Sequence, residues 1–368
     1  MIHSIYSLKD ATIHEQYLNL NTGLDNVLDL RKDFVNGVPY NSRILIKFNT
    51  DEILALVTQS IATDTNTKYF LKLYSTEASE IPVDYSIYAH AVTGSWNMGT
   101  GRFTINPTAS NGVTWLYREN DSNTQTQWAT ASYGVGITGS FTTNPGGGNW
   151  LLNPAYAASQ SFSYTTADIS MDVSSIVRAW VSGTIANDGF ILKKGDADES
   201  GSNVFQSIKF FGKDTHTIYE PRLEIRFDDS LYHTSCSIVS YDDEVSIGLA
   251  NQQSTYEAST KARINVTARP KYPPRTFTTG SDFMNYYQLP ETSYYSVVDA
   301  HNNSVLIPFD DNYTKISADS RGSYFRLSFT AMQPERYYKI LIKVRTADSE
   351  EYVYDRNWIF KVVSSVNS

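Results

Sequence analysis

The sequence predicts an all-β protein in two parts. Three observations carry this. Tyr, Phe and Trp number 26, 17 and 6 while charged residues make up only 19% of the 368-residue chain, a balance that suits half-exposed sheet faces. Short runs that alternate apolar and polar residues recur between Gly, Asn, Asp and Pro turn signals. Helical periodicity surfaces at two places only, which leaves the class all-β.

In chain order, 41–48 (NSRILIKF) is the first clear strand. Residues 51–61 (DEILALVTQSI) place Ile53, Leu54, Leu56, Val57 and Ile61 near one face, with Asp51 in position to cap, which predicts a short helix. Strands follow at 67–73 and 83–92; the second alternates Val83, Tyr85, Ile87 and Ala89 with Asp84, Ser86, Tyr88 and His90, the period of a half-buried strand. Between 93 and 161 Gly, Asn, Thr and Ser dominate and Trp96, Trp115, Trp128 and Trp150 are embedded; the run Pro145, Gly146, Gly147, Gly148 must be a loop. A second helix is predicted over 173–182, with Ile176, Val177, Trp180 and Val181 on its apolar face, Asp172 capping its start and Gly183 ending it. Strands 189–194, 204–211 and 222–227 close the first part.

The polar stretch 228–235 (DDSLYHTS) marks a boundary, giving parts 1–230 and 231–368. Beyond it, 263–267, 293–298, 304–309, 324–330, 337–344 and 357–363 read as strands separated by turns such as Asn302-Asn303 and Arg321-Gly322. This spacing predicts a Greek-key β-sandwich region of one or two small modules.

Composition also excludes function classes. A net charge of −9 argues against a nucleic-acid-binding role. No apolar run reaches the length of a membrane span. The one cysteine, Cys236, rules out an internal disulfide and cysteine-cluster metal sites; it reads as a small, partly buried hydrophobe. The start MIHSIYSLKD has neither a basic nor an apolar signal segment, so no secretion signal is expected. The six histidines (His3, His14, His90, His216, His233, His301) form no close ligand pair. No nucleophile elbow, P-loop or dinucleotide fingerprint occurs. The acidic runs Asp196-Ala197-Asp198-Glu199, Asp228-Asp229, Asp242-Asp243-Glu244 and Asp310-Asp311 read either as calcium ligands or as solvated loops. No enzyme activity, cofactor or metal is therefore expected.

The aromatic residues offer two readings. Trp96, Trp128 and Trp150 either fill the core or present flat faces to sugar rings; the alternation of Val113, Trp115 and Tyr117 favours the core. The pairs Tyr286-Tyr287, Tyr294-Tyr295 and Tyr337-Tyr338 put one ring on each face of a strand, so Tyr287, Tyr295 and Tyr338 join the candidates for an interface. Arg263, Arg269, Lys271 and Arg275 form a local basic patch suited to acidic neighbours.

Several motifs in order resemble the DNRLRE domain: KDATI at 9–13, NTG at 21–23, SRILIKF at 42–48, WNMGTG at 96–101, GVTW at 112–115, Trp128, then Asp168, Asp172, Val173, Val177 and Trp180, NDGF at 187–190, FQS at 205–207 and PRLEI at 221–225. The resemblance covers about 1–228. It implies a jelly-roll β-sandwich akin to carbohydrate-binding modules, without catalytic residues. Stretches after 231, such as ARPKYP at 268–273, LP at 289–290, SYYSVVDA at 293–300, IPFD at 307–310, Phe329 and PERYYK at 334–339, resemble the immunoglobulin-like β tails of phage structural proteins.

Together these give the expected function: a non-enzymatic structural component of a tailed-phage virion, in the neck, tail or baseplate region. It would be made in the host cytoplasm and reside in the particle. It would work through contacts with other virion proteins and with copies of itself in a symmetric assembly. The alternative is an adhesin module that binds host-surface glycans.

Overall fold

A computed structural model describes residues 1–58, 66–78, 84–103, 111–121, 123–128, 137–138, 146–163, 168–203, 205–239, 245–272, 287–330, 332–345 and 350–364. Ile61, Val83, Pro145, Val204, the acidic run 242–244, Arg275 and Tyr286 lie outside the described residues. The protein is all-β, with 52% strand against 8% helix. It divides into two compact units: Ile5–Ile225, and a second made of Met1–Ser4 together with Arg226–Ser368.

In the first unit the strands Ala157–Ser163, Asp84–Ala91, Phe190–Lys194, Val38–Phe48, Ile2–His14, Arg222–Arg226, Lys68–Leu73 and Ile169–Asp172 lie side by side. Val27–Val35 branches from Val38–Phe48 and carries Phe205–Phe211, which in turn pairs Ser75–Ala78. The central strands are covered on both faces, so Ile44, Leu45, Ile46, Phe190, Ile191 and Leu192 are all fully buried. Covering both faces turns an alternating pattern into a continuous apolar run. On one face the helix Ser174–Val181 sets the Trp180 ring 4.6 Å from Phe190. On the other, Ala11, Ile13, Leu45 and Ile191 pack against Trp96, Val113, Trp115, Trp128 and Trp150.

The first helix runs Thr50–Thr58. Its cap differs from expectation. The Asn49 side chain accepts the Asp51 N–H at 3.0 Å, so Asp51 is one of the capped residues and not the cap. In the second helix the N-cap position falls to Val173, one residue later than predicted, and Asp172 accepts the Ser174 N–H at 2.9 Å from just before it; Gly183 follows the end with φ +71°, as the sequence predicts. A third short helix, Asp196–Ser200, was not foreseen.

The second unit has a four-stranded sheet, Val245–Leu249, Lys261–Pro270, Gly322–Ser328 and Ser317–Asp319 in spatial order. Its five-stranded sheet runs Thr255–Glu257, Glu351–Val363, Arg336–Arg345, Ser293–Asp299 and Val305–Ile307. Alternation is clean: Ile264, Val266 and Ala268 point inward from one sheet, Tyr338, Ile340, Ile342 and Val344 from the other. One core joins the two sheets, with stacked pairs Tyr256–Phe329 at 4.3 Å and Tyr295–Phe325 at 4.4 Å. Ile2, from the far end of the chain, sits in this core. The Met1 ammonium is bonded there by the carbonyls of Phe227 and Tyr313 and paired with Asp229 at 2.9 Å.

Candidate functional site

The tryptophans are not a platform. Trp96, Trp128 and Trp150 are 1–3% exposed, so no ring face is open to a sugar. Their indoles are held from within: Trp96 Nε1 donates to the Asp188 carbonyl at 2.8 Å and Trp128 Nε1 to the Thr114 carbonyl at 3.1 Å. Lys9 lies 4.3 Å from the Trp96 ring centre. The Gly-rich segment that carries them closes over the sheet through Asn21. Its amide donates to the carbonyls of Met98 and Val113 and its oxygen accepts from Gly23 and Gly101. A Cβ on Gly23 would stand 2.1 Å from the Met98 carbonyl oxygen, which is why a glycine is needed there. The motifs at 21–23 and 96–101 are thus one closure.

Beneath this aromatic cover lies a buried ionic network. Arg43, from a central strand, is bidentate to Glu199 at 3.1 and 2.6 Å and donates to the Gly147 carbonyl at 2.6 Å. Its guanidinium lies 5.1 Å from the ring centres of both Trp115 and Trp150. Lys193 Nζ reaches Asp196 at 2.5 Å and Glu199 at 3.4 Å. Lys32 donates to the carbonyls of Asp198 and Gly201. Within the acidic run, Glu199 and Asp196 are therefore the counter-charges of two buried cations, Arg43 and Lys193, while Asp196 keeps one side in solvent. Burial holds His90 well below its usual range, to about 4, with Lys193 adding to the effect. Burial likewise pulls Lys194 down to about 7.

Tyr295 and Tyr338 are also core residues, and Tyr287 is half-buried against the same core. Tyr295 is the ring of its pair expected at an interface, yet neither ring is free: Tyr294, on the other face of the strand, is buried too, with the side chains of Lys343 and Arg345 over its ring at 5.3 and 5.6 Å. Tyr337 is 56% exposed. It belongs to the outer face of the five-stranded sheet, where register aligns Val305, Val298, Lys339 and Ile359 in one row across four strands. A second row sets Tyr294, Lys343 and Val353 abreast. Val305, Val353 and Ile359 are exposed, while Lys339 pairs with Asp355, Lys343 with Glu351, and Lys361, opposite Tyr337, with Glu335. This face mixes exposed apolar side chains with paired charges and carries a bulge between the two rows, where the register shifts between Ile340 and Ile342, the mixed make-up of an interface with a polar rim.

A different feature lies in the first unit. A cleft of about 490 Å³ is lined by residues including Thr12, His14, Asp25, Asp29, Arg31, Arg102, Phe103 and Lys209. Asp29 and Arg31 share the outward face of Val27–Val35, and Lys209 stands directly opposite Asp29 in the neighbouring strand. Ser207 donates to Asp29 at 2.6 Å and Arg31 Nε lies 3.5 Å from its other oxygen. The Asp25 carboxylate accepts the Phe103 N–H at 3.1 and 3.2 Å and so fixes the backbone that carries that ring. Phe103 meets His14 at 5.0 Å, Tyr17 edge-on at 5.6 Å, and the Arg31 guanidinium at 5.6 Å. Phe103 and Tyr17 are exposed. Burial holds the His14 imidazole down to about 3, with the Arg31 charge adding to it, so it is neutral at pH 7. Burial raises the carboxyls of Asp25 and Asp29.

Of these cleft residues, Thr12 is named from sequence within the KDATI motif and His14 among the histidines, neither as part of a cleft. The signal was Arg102-Phe103 directly after the glycine pair at 99 and 101, a place where a fixed loop can present an aromatic. Elsewhere, Cys236 is half-buried with its thiol 3.5 Å from the Ser320 carbonyl. Arg263 of the basic patch is paired with Asp319 at 2.6 Å and covers the Tyr324 ring. Among the described residues no group of three acidic, His or Cys side chains is arranged to hold a metal, and no helix is long and apolar enough to cross a membrane. No protein-family model matches the chain, and no curated protein sequence matches it.

Proposed function

We propose that the chain is a non-enzymatic structural component of a tailed-phage virion, in its neck, tail or baseplate region, with a jelly-roll first unit and an immunoglobulin-like second unit. One observation carries the reading: the outer face of the five-stranded sheet, where Val305, Tyr337, Val353 and Ile359 stand exposed among charges that pair with one another. Such rings and branched side chains bury large area at low entropic cost when a neighbour covers them. Copies of the chain and other virion proteins are the partners of that face. The test is to purify particles from infected cells and look for the chain by mass spectrometry, beside light scattering of the purified protein and of Tyr337→Asp/Ile359→Asp. Presence in particles, and an oligomer that the double variant dissolves, is the expected result. Absence from particles with a monomer in both samples would sink the reading.

A second reading, recognition of host-surface glycans, no longer has its tryptophans. The aromatic-rimmed cleft at Phe103 is the observation that favours it.

A further inference from the structure

We propose that the cleft around Phe103 binds a neutral saccharide, one pyranose ring lying against Phe103, which Tyr17 braces edge-on from outside the cleft, with its hydroxyls bonded by Asp29, Arg31, Asp25 and Lys209. This rests on the glycan reading and gives it a site and a ligand class.

The argument is one of matching chemistry. The cleft volume of about 490 Å³ falls in the range of about 300–1,000 Å³ found for small-ligand sites. Its polar lining carries both signs, with Arg31, Arg102 and Lys209 beside Asp25 and Asp29. An anion would meet two carboxylates, and a cation would meet three basic groups. A wholly apolar ligand would strip water from all five without replacing its hydrogen bonds. A sugar hydroxyl both donates and accepts, so it satisfies carboxylates and cations alike. The C–H face of the ring then takes the apolar surface of the exposed Phe103.

The geometry is also set before any ligand arrives. Asp29 is oriented by Ser207 and by Arg31, and its backbone N–H donates to Thr12 Oγ1 at 3.0 Å. Phe103 is fixed through its N–H by Asp25 and braced by His14 and Tyr17. Preorganised polar groups and a held ring lose little freedom on binding.

The experiment uses the full chain on a printed array of neutral and uronic-acid-containing glycans, followed by titration calorimetry with the best hit. Neutral glycans are expected to bind, with affinity falling at least tenfold in Phe103→Ala and in Tyr17→Ala. Both residues are exposed, and unchanged melting of either variant shows that folding is intact. Binding that survives both variants keeps the glycan reading but overturns this site. Hits confined to uronic-acid glycans overturn the ligand class. No hit on the array overturns the site and the glycan reading together, and leaves the virion reading untouched.

Discussion

The two units solve the same problem, stabilising a sheet, with opposite treatments of charge. In Ile5–Ile225 Lys32, Arg43, Lys193, Lys194, Glu15, Glu199, Asp10, Arg222 and Glu224 are all buried. In the second unit Asp299 is the buried ionised side chain among the described residues, and the core is aromatic and aliphatic. The ion pairs of that unit, such as Lys339–Asp355 and Lys343–Glu351, lie on its outer sheet face. The difference teaches where specificity comes from. A loop-built cover over a sheet has no ladder of its own, so the first unit ties it down with directional bonds: Arg43 to Gly147, Asn21 to Met98 and Val113. Two facing sheets already fix each other by alternation, and a dry core suffices.

The comparison breaks most sharply at Arg43. Arg43→Ala leaves Glu199 buried without its main partner and should cost the first unit about 3–5 kcal/mol; chemical denaturation followed by Trp fluorescence reads it, and a loss under 1 kcal/mol would show the network to be dispensable. In the second unit Ile340→Ala should cost about 2–4 kcal/mol through the cavity alone. That loss should leave Trp fluorescence of the first unit's transition unchanged; a shift of both transitions would mean that the units do not melt independently.

A pH series sharpens the contrast. Burial raises the Asp10 carboxyl from 3.8 to about 7. A raised acid contributes stability in full below its unfolded value, and that contribution is lost as pH rises through about 7. Asp10→Asn should therefore gain on the parent chain as pH climbs from about 4 to about 7, then hold a constant advantage. A difference in melting temperature that does not vary with pH would contradict the buried carboxyl. The smallest effect belongs to the exposed pair Arg263–Asp319: Arg263→Ala should cost less than about 1 kcal/mol and should respond to salt. A larger, salt-insensitive loss would point to its packing over Tyr324.

Much of the fold is legible in the residues. Strands such as Lys261–Pro270 and Arg336–Arg345 alternate because one face is wet and the other dry. The helix Ser174–Val181 announces itself by Ile176, Val177 and Trp180 between Asp172 and Gly183. Other strands hide. Ile2–His14 reads as polar because Ser4, Ser7, Asp10, Thr12 and His14 are buried in it. Val27–Val35 mixes Leu28 and Leu30 with a buried Lys32 and the cleft residues Asp29 and Arg31. Its charges gave no hint of which face they would take.

The candidate site divides the same way. Composition settled that aromatic rings would matter, since 49 of them in a chain with 19% charge must line cores or interfaces. Which rings stay outside was decided by tertiary structure. Trp96, Trp128 and Trp150 are buried in a segment tied down by Asn21, 75 or more residues upstream, and by Arg43, and Tyr294 is covered by Lys343 and Arg345 from the next strand. Phe103 stays in view because Asp25 holds its backbone at the cleft rim. The all-β class, the period of the exposed-face strands and the ends of the helix Ser174–Val181 could be read from the residues alone, because these depend on neighbours a few residues apart. Exposure, ion pairing and the cleft depend on residues far apart in the chain, so only the folded structure could assign them.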